Sequence, residues 1–344
     1  MKRTLGILLT AVLMVGLVSG CGGDTDPGTS GDGGGGGEAK TITIKLANIY
    51  GEDMTETKSM YEFKKAVEER SGGSIQVDVY PNCQLGSEEA LGDGIRQGTV
   101  EMAILGGALQ THMPYVGLAE FPFLFRDWDH AKKALHDPDI MAALSTGAED
   151  IGITPLGICP SGFRAISSNQ AFHSLSDMKG MRLRVPNIPL YVTMAENLGV
   201  NVVALPMTEL FTALEQKVCD GQEVSPSICR ANKYYEVQSA YLVSRHMFTV
   251  HTWYINSKFF ASLTADQQAI LSECAADAIA FDWGIAEQEE NDNLKFFEEY
   301  GLEVVYPDEA FVQEMRDSQI PTRAWAEEQW PGCLEIIEKI EVVQ

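Results

Sequence analysis

Beyond residue 40 the chain switches repeatedly between two hydrophobic periods. From Thr41 to Asn48, Ile42, Ile44 and Leu46 fall on one face with polar residues between them, as in a half-buried strand. Residues 55–70 then gather Met60, Phe63 and Val67 at helical spacing and stop at Gly72-Gly73. "SIQVDVYP" returns to alternation, "SEEALGDGIRQG" to a helical pattern and "VEMAIL" to a strand. This β-α-β-α-β order predicts a mostly parallel sheet with covering helices.

A second series begins near Gly162, with "FRAISS", a capped turn at "SLSDMKG", the strand "MRLRVP", a helix through Leu198 and the strand "NVVAL". The repeated pattern predicts two α/β lobes. Further on, Thr264-Ala-Asp-Gln267 fits a capping box, and helical spacing continues without proline to Gly301. A helix of about 35 residues is roughly 50 Å long, too long for one small domain. It is expected to span both lobes as a brace.

A length of 344 residues with 45% hydrophobic content is enough for two cores of ordinary size. The first twenty residues do not belong to them. Lys2 and Arg3 precede an apolar stretch from Leu5 to Val18 that is short for a membrane span, which reads as an export leader. Leu17-Val18-Ser19-Gly20-Cys21 resembles a bacterial lipobox, implying that Cys21 is acylated and becomes the first residue; an ordinary leader cleaved nearby is the plainer alternative. Residues 21–40, with Gly33 to Gly37, form a polar tract that behaves as a flexible tether.

The charge balance narrows the partners. With 49 acidic and 25 basic residues the formal charge is −24, and it becomes −26 once Lys2 and Arg3 leave with the leader. Nucleic acid and anionic membrane surface are poor partners for such a chain. Six cysteines beyond Cys21 are an even number in an exported chain but lack the close spacing of a disulfide scaffold, and no C-x-x-C occurs. Pairing stays open, and a zinc ribbon or redox motif is not expected. G-x-S-x-G, H-E-x-x-H, the Walker loop and G-x-G-x-x-G are absent too, which moves the weight from catalysis toward binding with no metal or cofactor. His246 and His251, five apart on expected strands, would lie on opposite faces and read as structural or exposed.

At "GFRAISSN", "SLSDMKGMRLRVPN", "PMTELFTALEQKVCDGQE" and "YYEVQ" the chain resembles the periplasmic solute-binding subunits of TRAP transporters, the dicarboxylate-type family. The resemblance runs from about Thr41 to the C-terminus and includes "YPNCQLGSEE" and the later "SRH". It implies a two-lobe α/β periplasmic binding protein fold with hinge strands and a long lobe-spanning helix. It also implies closure on an organic acid, carboxylate or sulfonate, that is delivered to a TRAP permease in the membrane, with no covalent chemistry. The lobes would comprise residues 41–162 with 250–288, and residues 163–249 with 289–344.

The resemblance places the carboxylate-gripping arginine of the "RVP" strand on Arg184 and a second anion contact on Arg164. Asn187 falls where the residue after "RVP" often reaches the ligand and Asn48 where members such as the sialic acid binders use an asparagine; Met207 and the segment Glu223 to Ser225, with Val224, would line the second lobe, and His251 and Trp253 lie on a strand returning through the cleft. Plainer readings stand beside these: an ion pair for Arg164, a helix N-cap for Asn187, turn chemistry for Asn48, core packing for Met207 and Trp253. Val224 stands where sialic acid binders carry asparagine, and Gly106 and Gly107 where they carry an acid, so a smaller or less hydroxylated acid is expected. Two rival functions use the same features: a lipid-anchored enzyme acting on a small anion, and a ligand-sensing receptor lipoprotein.

Arg182 and Arg184 also differ by position alone. Two apart on a strand, they share a face, and Arg184 is nearer the carboxyl end, where open α/β sheets place their ligands. Arg184 is expected to grip the anion, and Arg182 to face solvent or an acidic neighbour.

Overall fold

The structure is a computed structural model and describes residues 41–344. Cys21, the leader and the tether fall outside the described residues. Two sheets organise the chain. The first has the order β2-β1-β3-β10-β4, from β1 (Ile42–Ala47), β2 (Ile75–Tyr80), β3 (Met102–Leu105), β4 (Ile153–Phe163) and β10 (Phe248–Asn256). The second has the order β11-β9-β5-β8-β6-β7, from β5 (Ala165–Ser168), β6 (Arg182–Val185), β7 (Asn201–Ala204), β8 (Gly221–Val224), β9 (Ala240–Leu242) and β11 (Glu303–Val305).

The expected β-α-β units are present: β1 pairs in parallel with β2 and β3, and β6 with β7 and β8. Each sheet is mostly parallel, as expected, with a single reversed strand: β10 runs antiparallel to both β3 and β4, and β5 antiparallel to β8 and β9. These strands belong to segments that carry the chain from one sheet to the other. β4 leads through Arg164 into β5, and β9 returns through residues 243–247 into β10. The two crossings run side by side, with the Arg164 amide donating to the Met247 carbonyl at 2.8 Å. His246 therefore sits in the crossing, which corrects the expectation that it lies on a strand.

The long helix spans Ala265–Tyr300, capped by reciprocal Thr264 and Gln267 hydrogen bonds and ended by Gly301 in the left-handed region. It braces both sheets as its length suggested. Trp283 donates from its indole to the Ile158 carbonyl of β4, and Glu290 accepts from the Phe163 amide at the end of that strand. Further along, Asn293 accepts from Arg230 and donates to Ser227 of the helix Pro226–Ala231, and Phe297 packs on Tyr241 of β9. The six cysteines of the described residues are unpaired. Among these residues no helix is long and apolar enough to cross a membrane.

Candidate functional site

Between the two sheets lies a cavity of about 290 Å³. Segments after β1 and β3, the N-terminus of the helix Glu88–Gln97, Glu120 and β10 wall it on one side. The ends of β6, β7 and β8 and the helices that follow them wall it on the other, at the carboxyl ends of parallel strands where such sheets leave their crevices.

Six of the expected residues meet there: Arg184, Arg164, Asn187, Met207, Val224 and His251. Arg184 carries the least compensated charge. It is 2% exposed, against 44% for the Arg182 side chain two residues earlier on β6. Arg182 is ion-paired with Asp220, as its position suggested. Arg184 donates from Nε and Nη2 to one acceptor, the Leu205 carbonyl, at 3.0 and 2.7 Å. Among the described residues no carboxylate lies within 4.0 Å of its guanidinium. Burial pulls its pKa down to about 10, with Tyr234 and Glu223 opposing from further away. It is therefore charged at neutral pH and lacks a counterion.

Arg164 is the opposite case. Burial works against its charge, but Glu223 on β8 holds its pKa above the ordinary value. Nη2 donates to both Glu223 Oε1 at 2.8 Å and the Glu223 carbonyl at 2.5 Å, Nε donates to Oε2, and Nη1 donates to Thr249 Oγ1 at 3.0 Å. Four of its five N–H bonds are thus committed inside the protein, and its guanidinium stacks 4.8 Å above the Tyr191 ring. The ion-pair reading describes this geometry, with one N–H left for the cavity.

Asn187 lines the cavity without capping the next helix, whose N-cap position is Ile188. Three expected residues lie outside the lining. Asn48 is spent on turn chemistry: Oδ1 accepts from the Tyr50 amide and Nδ2 donates to Thr57 and to the Met60 sulfur, tying the end of β1 to the helix Thr55–Arg70. Ser225 caps the helix Pro226–Ala231 by accepting from the Ile228 amide. Trp253 is fully buried, edge-on to Phe63, two residues further into the sheet than His251 on the same face. His251 itself stacks on Tyr50 with ring centroids 4.3 Å apart, and its Nδ1 lies 3.1 Å from Glu56 Oε1.

The opposite wall carries carboxylates that no sequence motif marks as ligand contacts. Glu88 accepts from the Gly106 amide at 2.5 Å, and Glu120 accepts from the Val250 amide at 3.3 Å. Burial raises the pKa of Glu88, against the pull of His251 and the Gly106 amide. Burial raises that of Glu120 to about 7, with Arg164, His251 and the Tyr191 hydroxyl opposing. At Gly107, where no acid stands, a Cβ would come within 2.8 Å of Ile188 Cδ1, the end of a side chain that reaches across from the other wall.

These shifts make stability depend on pH. Glu120 and Glu290 both have pKa values raised by burial to about 7. A raised carboxyl pKa stabilises the fold fully below the unfolded value and loses that contribution as pH rises through the folded one. Each is worth on the order of 3 kcal/mol. Carboxylates with lowered pKa, such as Asp220 beside Arg182, act only below the ordinary carboxyl range. The ligand-free protein should therefore melt at a higher temperature at pH 5 than at pH 8; a midpoint that instead climbs across this interval would mean that water reaches both carboxyls.

The family model for bacterial extracellular solute-binding protein, family 7, matches residues 46–329. An uncharacterised protein of Haemophilus influenzae is 36% identical over 278 residues, covering 80% of this chain and 84% of the relative. Among solved structures, a TRAP periplasmic solute-binding protein from Haemophilus influenzae with bound L-gulonate superposes with a TM-score of 0.84 at 32% identity, covering 87% of this chain and 99% of that one. Another, from Desulfovibrio desulfuricans with bound sn-glycerol-3-phosphate, gives a TM-score of 0.84 at 28% identity, with 87% and 96% covered.

Proposed function

The chain belongs to the bacterial extracellular solute-binding protein family 7, and from that premise we propose that Arg184 takes the carboxylate of a small organic acid, which the protein delivers to the membrane permease of a TRAP-type transporter. One observation carries the reading: a guanidinium in the cavity wall, buried and without a carboxylate partner. A chain of charge −24 repels anions unless positive charge is concentrated where they dock, and Arg184 supplies that concentration. A ligand carboxylate supplies the missing counterion and accepts charge-assisted bonds. L-gulonate and sn-glycerol-3-phosphate, held by the two structural relatives, are both anions of this size class.

The binding is capture without covalent chemistry. Arg164, Asn187, Met207, Val224 and His251 complete the contacts, and the lobes close about the two crossings near Arg164 and Met247. Lobe boundaries at 41–162 with 250–288, and at 163–249 with 289–344, fit these crossings. A thermal-shift screen over organic acids tests the function. A binder is stabilised by one or two acids recovered unchanged, by about 2.7 kcal/mol at a hundredfold excess over Kd. An enzyme would convert its ligand, and a receptor for a partner protein would respond to none.

We also propose that Cys21 carries a lipid that holds the protein at the periplasmic membrane surface. Cys21→Ala is expected to release the protein into the soluble fraction with unchanged ligand affinity, because the glycine tether separates anchor from lobes. Undiminished membrane retention of this variant in cell fractionation would overturn the anchor.

A further inference from the structure

The charges of the cavity are segregated, and their arrangement bears on which acid fits. This step rests on capture of an anion at Arg184. At the crossing from β4 into β5, Arg164 is neutralised by Glu223 of β8, so Arg184 on β6 alone offers an uncompensated positive charge. On the facing wall stand Glu88 and Glu120, with Glu89 beside them at the rim. Each of the two inner carboxyls accepts one backbone amide, from Gly106 and Val250, which fixes its orientation and leaves acceptor capacity. His251, the nearest ionisable base on that wall, already faces Glu56 at 3.1 Å.

We infer that Glu88 and Glu120 read hydroxyl groups, so that the ligand is a polyhydroxylated monocarboxylate of the aldonate class and not a dicarboxylate. A second ligand carboxylate would point at two acidic side chains with no uncompensated cation to receive it, since Arg164 is already neutralised by Glu223, and like charges at close range disfavour binding. An alkyl acid would close the cavity over two carboxyls without giving either a donor, leaving buried acceptors unpaired. Hydroxyls on successive carbons donate to both, while the single carboxylate at the other end meets Arg184. The expectation of a less hydroxylated acid was drawn from Val224 and from Gly106 and Gly107; the acidic groups enter the cavity from elsewhere in the chain, at Glu88 and Glu120.

Titration calorimetry at pH 8 with a panel of aldonates (D-gluconate, L-gulonate, D-galactonate), succinate and hexanoate tests the inference. At least one aldonate should bind a hundredfold or more tighter than succinate and hexanoate. Glu88→Gln and Glu120→Gln, each tested alone, should weaken that aldonate about tenfold and tighten succinate, an opposite pair of changes that general damage to the fold does not produce. Succinate or hexanoate binding tighter than every aldonate, or variants that move both ligands the same way, would overturn the inference and leave anion capture standing. Failure of all five acids to bind, or binding untouched by Arg184→Ala, would instead overturn the proposed function. Ligand-induced thermal stabilisation of the unaltered chain with the same panel decides the ligand class even where a variant misfolds.

Discussion

Replacing Arg184 with alanine should cost about 3 kcal/mol or more of binding, on the order of a hundredfold in affinity, while leaving the ligand-free protein no less stable. The two halves of this result have one cause. In the empty cavity the guanidinium is buried with only the Leu205 carbonyl to receive its donors, and burial depresses its pKa to about 10. Its charged form is therefore disfavoured in the fold at neutral pH by on the order of 3 kcal/mol. A lowered basic pKa is a stability cost present below about pH 10 and relieved only above it. Arg184→Met keeps the stem's packing and removes the charge; after about 1 kcal/mol for the orphaned Leu205 carbonyl, the ligand-free protein should gain about 1–2 kcal/mol. Arg184→Lys retains a charge but loses the planar pair of donors, so affinity should still fall substantially. Chemical denaturation and calorimetry on the three variants read both halves; retained affinity in Arg184→Met would show that the anion docks elsewhere.

Breaking the Arg164–Glu223 pair should have the largest effect on the fold. Glu223 is fully buried on β8 and Arg164 nearly so at the crossing from β4 to β5. Burial acts to raise the Glu223 pKa, but Arg164 and the His246 imidazole, 3.5 Å from Glu223 Oε2, hold it below the ordinary value. Glu223→Ala strands the arginine in a dry site, and removing one partner of a buried pair typically costs about 3–5 kcal/mol. The combined Arg164→Met and Glu223→Leu change should cost far less, because no charge is left behind. Saturating organic acid should recover part of the Glu223→Ala loss, since Arg164 borders the cavity. Urea unfolding of the single and double variants checks the pattern. A Glu223→Ala loss under about 1 kcal/mol would mean that Arg164 has other neutralising contacts.

Much of this arrangement was legible before the structure. The alternation of Ile42, Ile44 and Leu46, the Thr264 capping box and the proline-free run to Gly301 each encode an element locally, by period or by cap. The contrast between Arg182 and Arg184 followed from strand polarity. What stayed hidden depends on contacts distant in sequence. β5 and β10 run antiparallel because they lie at the crossings between sheets, and nothing in their own residues records a neighbour's direction. Glu88 reads as an ordinary acid in the first turn of a helix, and Glu120 sits in the 3-10 segment Pro114–Glu120, which lacks a clear period. Glu88 lies in the stretch "YPNCQLGSEE" that the resemblance includes, but no ligand role attaches to it there, and Glu120 lies in no motif, so only the approach of Gly106 and Val250 shows that they face the cavity. Asn48, Ser225 and Trp253 sit beside site residues in sequence, yet their side chains are committed to a turn, a cap and the core.

Anion capture turns on one guanidinium, and titration calorimetry of Arg184→Ala beside Arg182→Ala, with the acid found in the thermal-shift screen, tests it most directly. Arg182 is an exposed partner of Asp220, so its loss should change affinity by less than about 1 kcal/mol. Loss of Arg184 should cost about 3 kcal/mol or more. Equal effects at the two positions, or a larger one at Arg182, would contradict the assignment of the anion to Arg184.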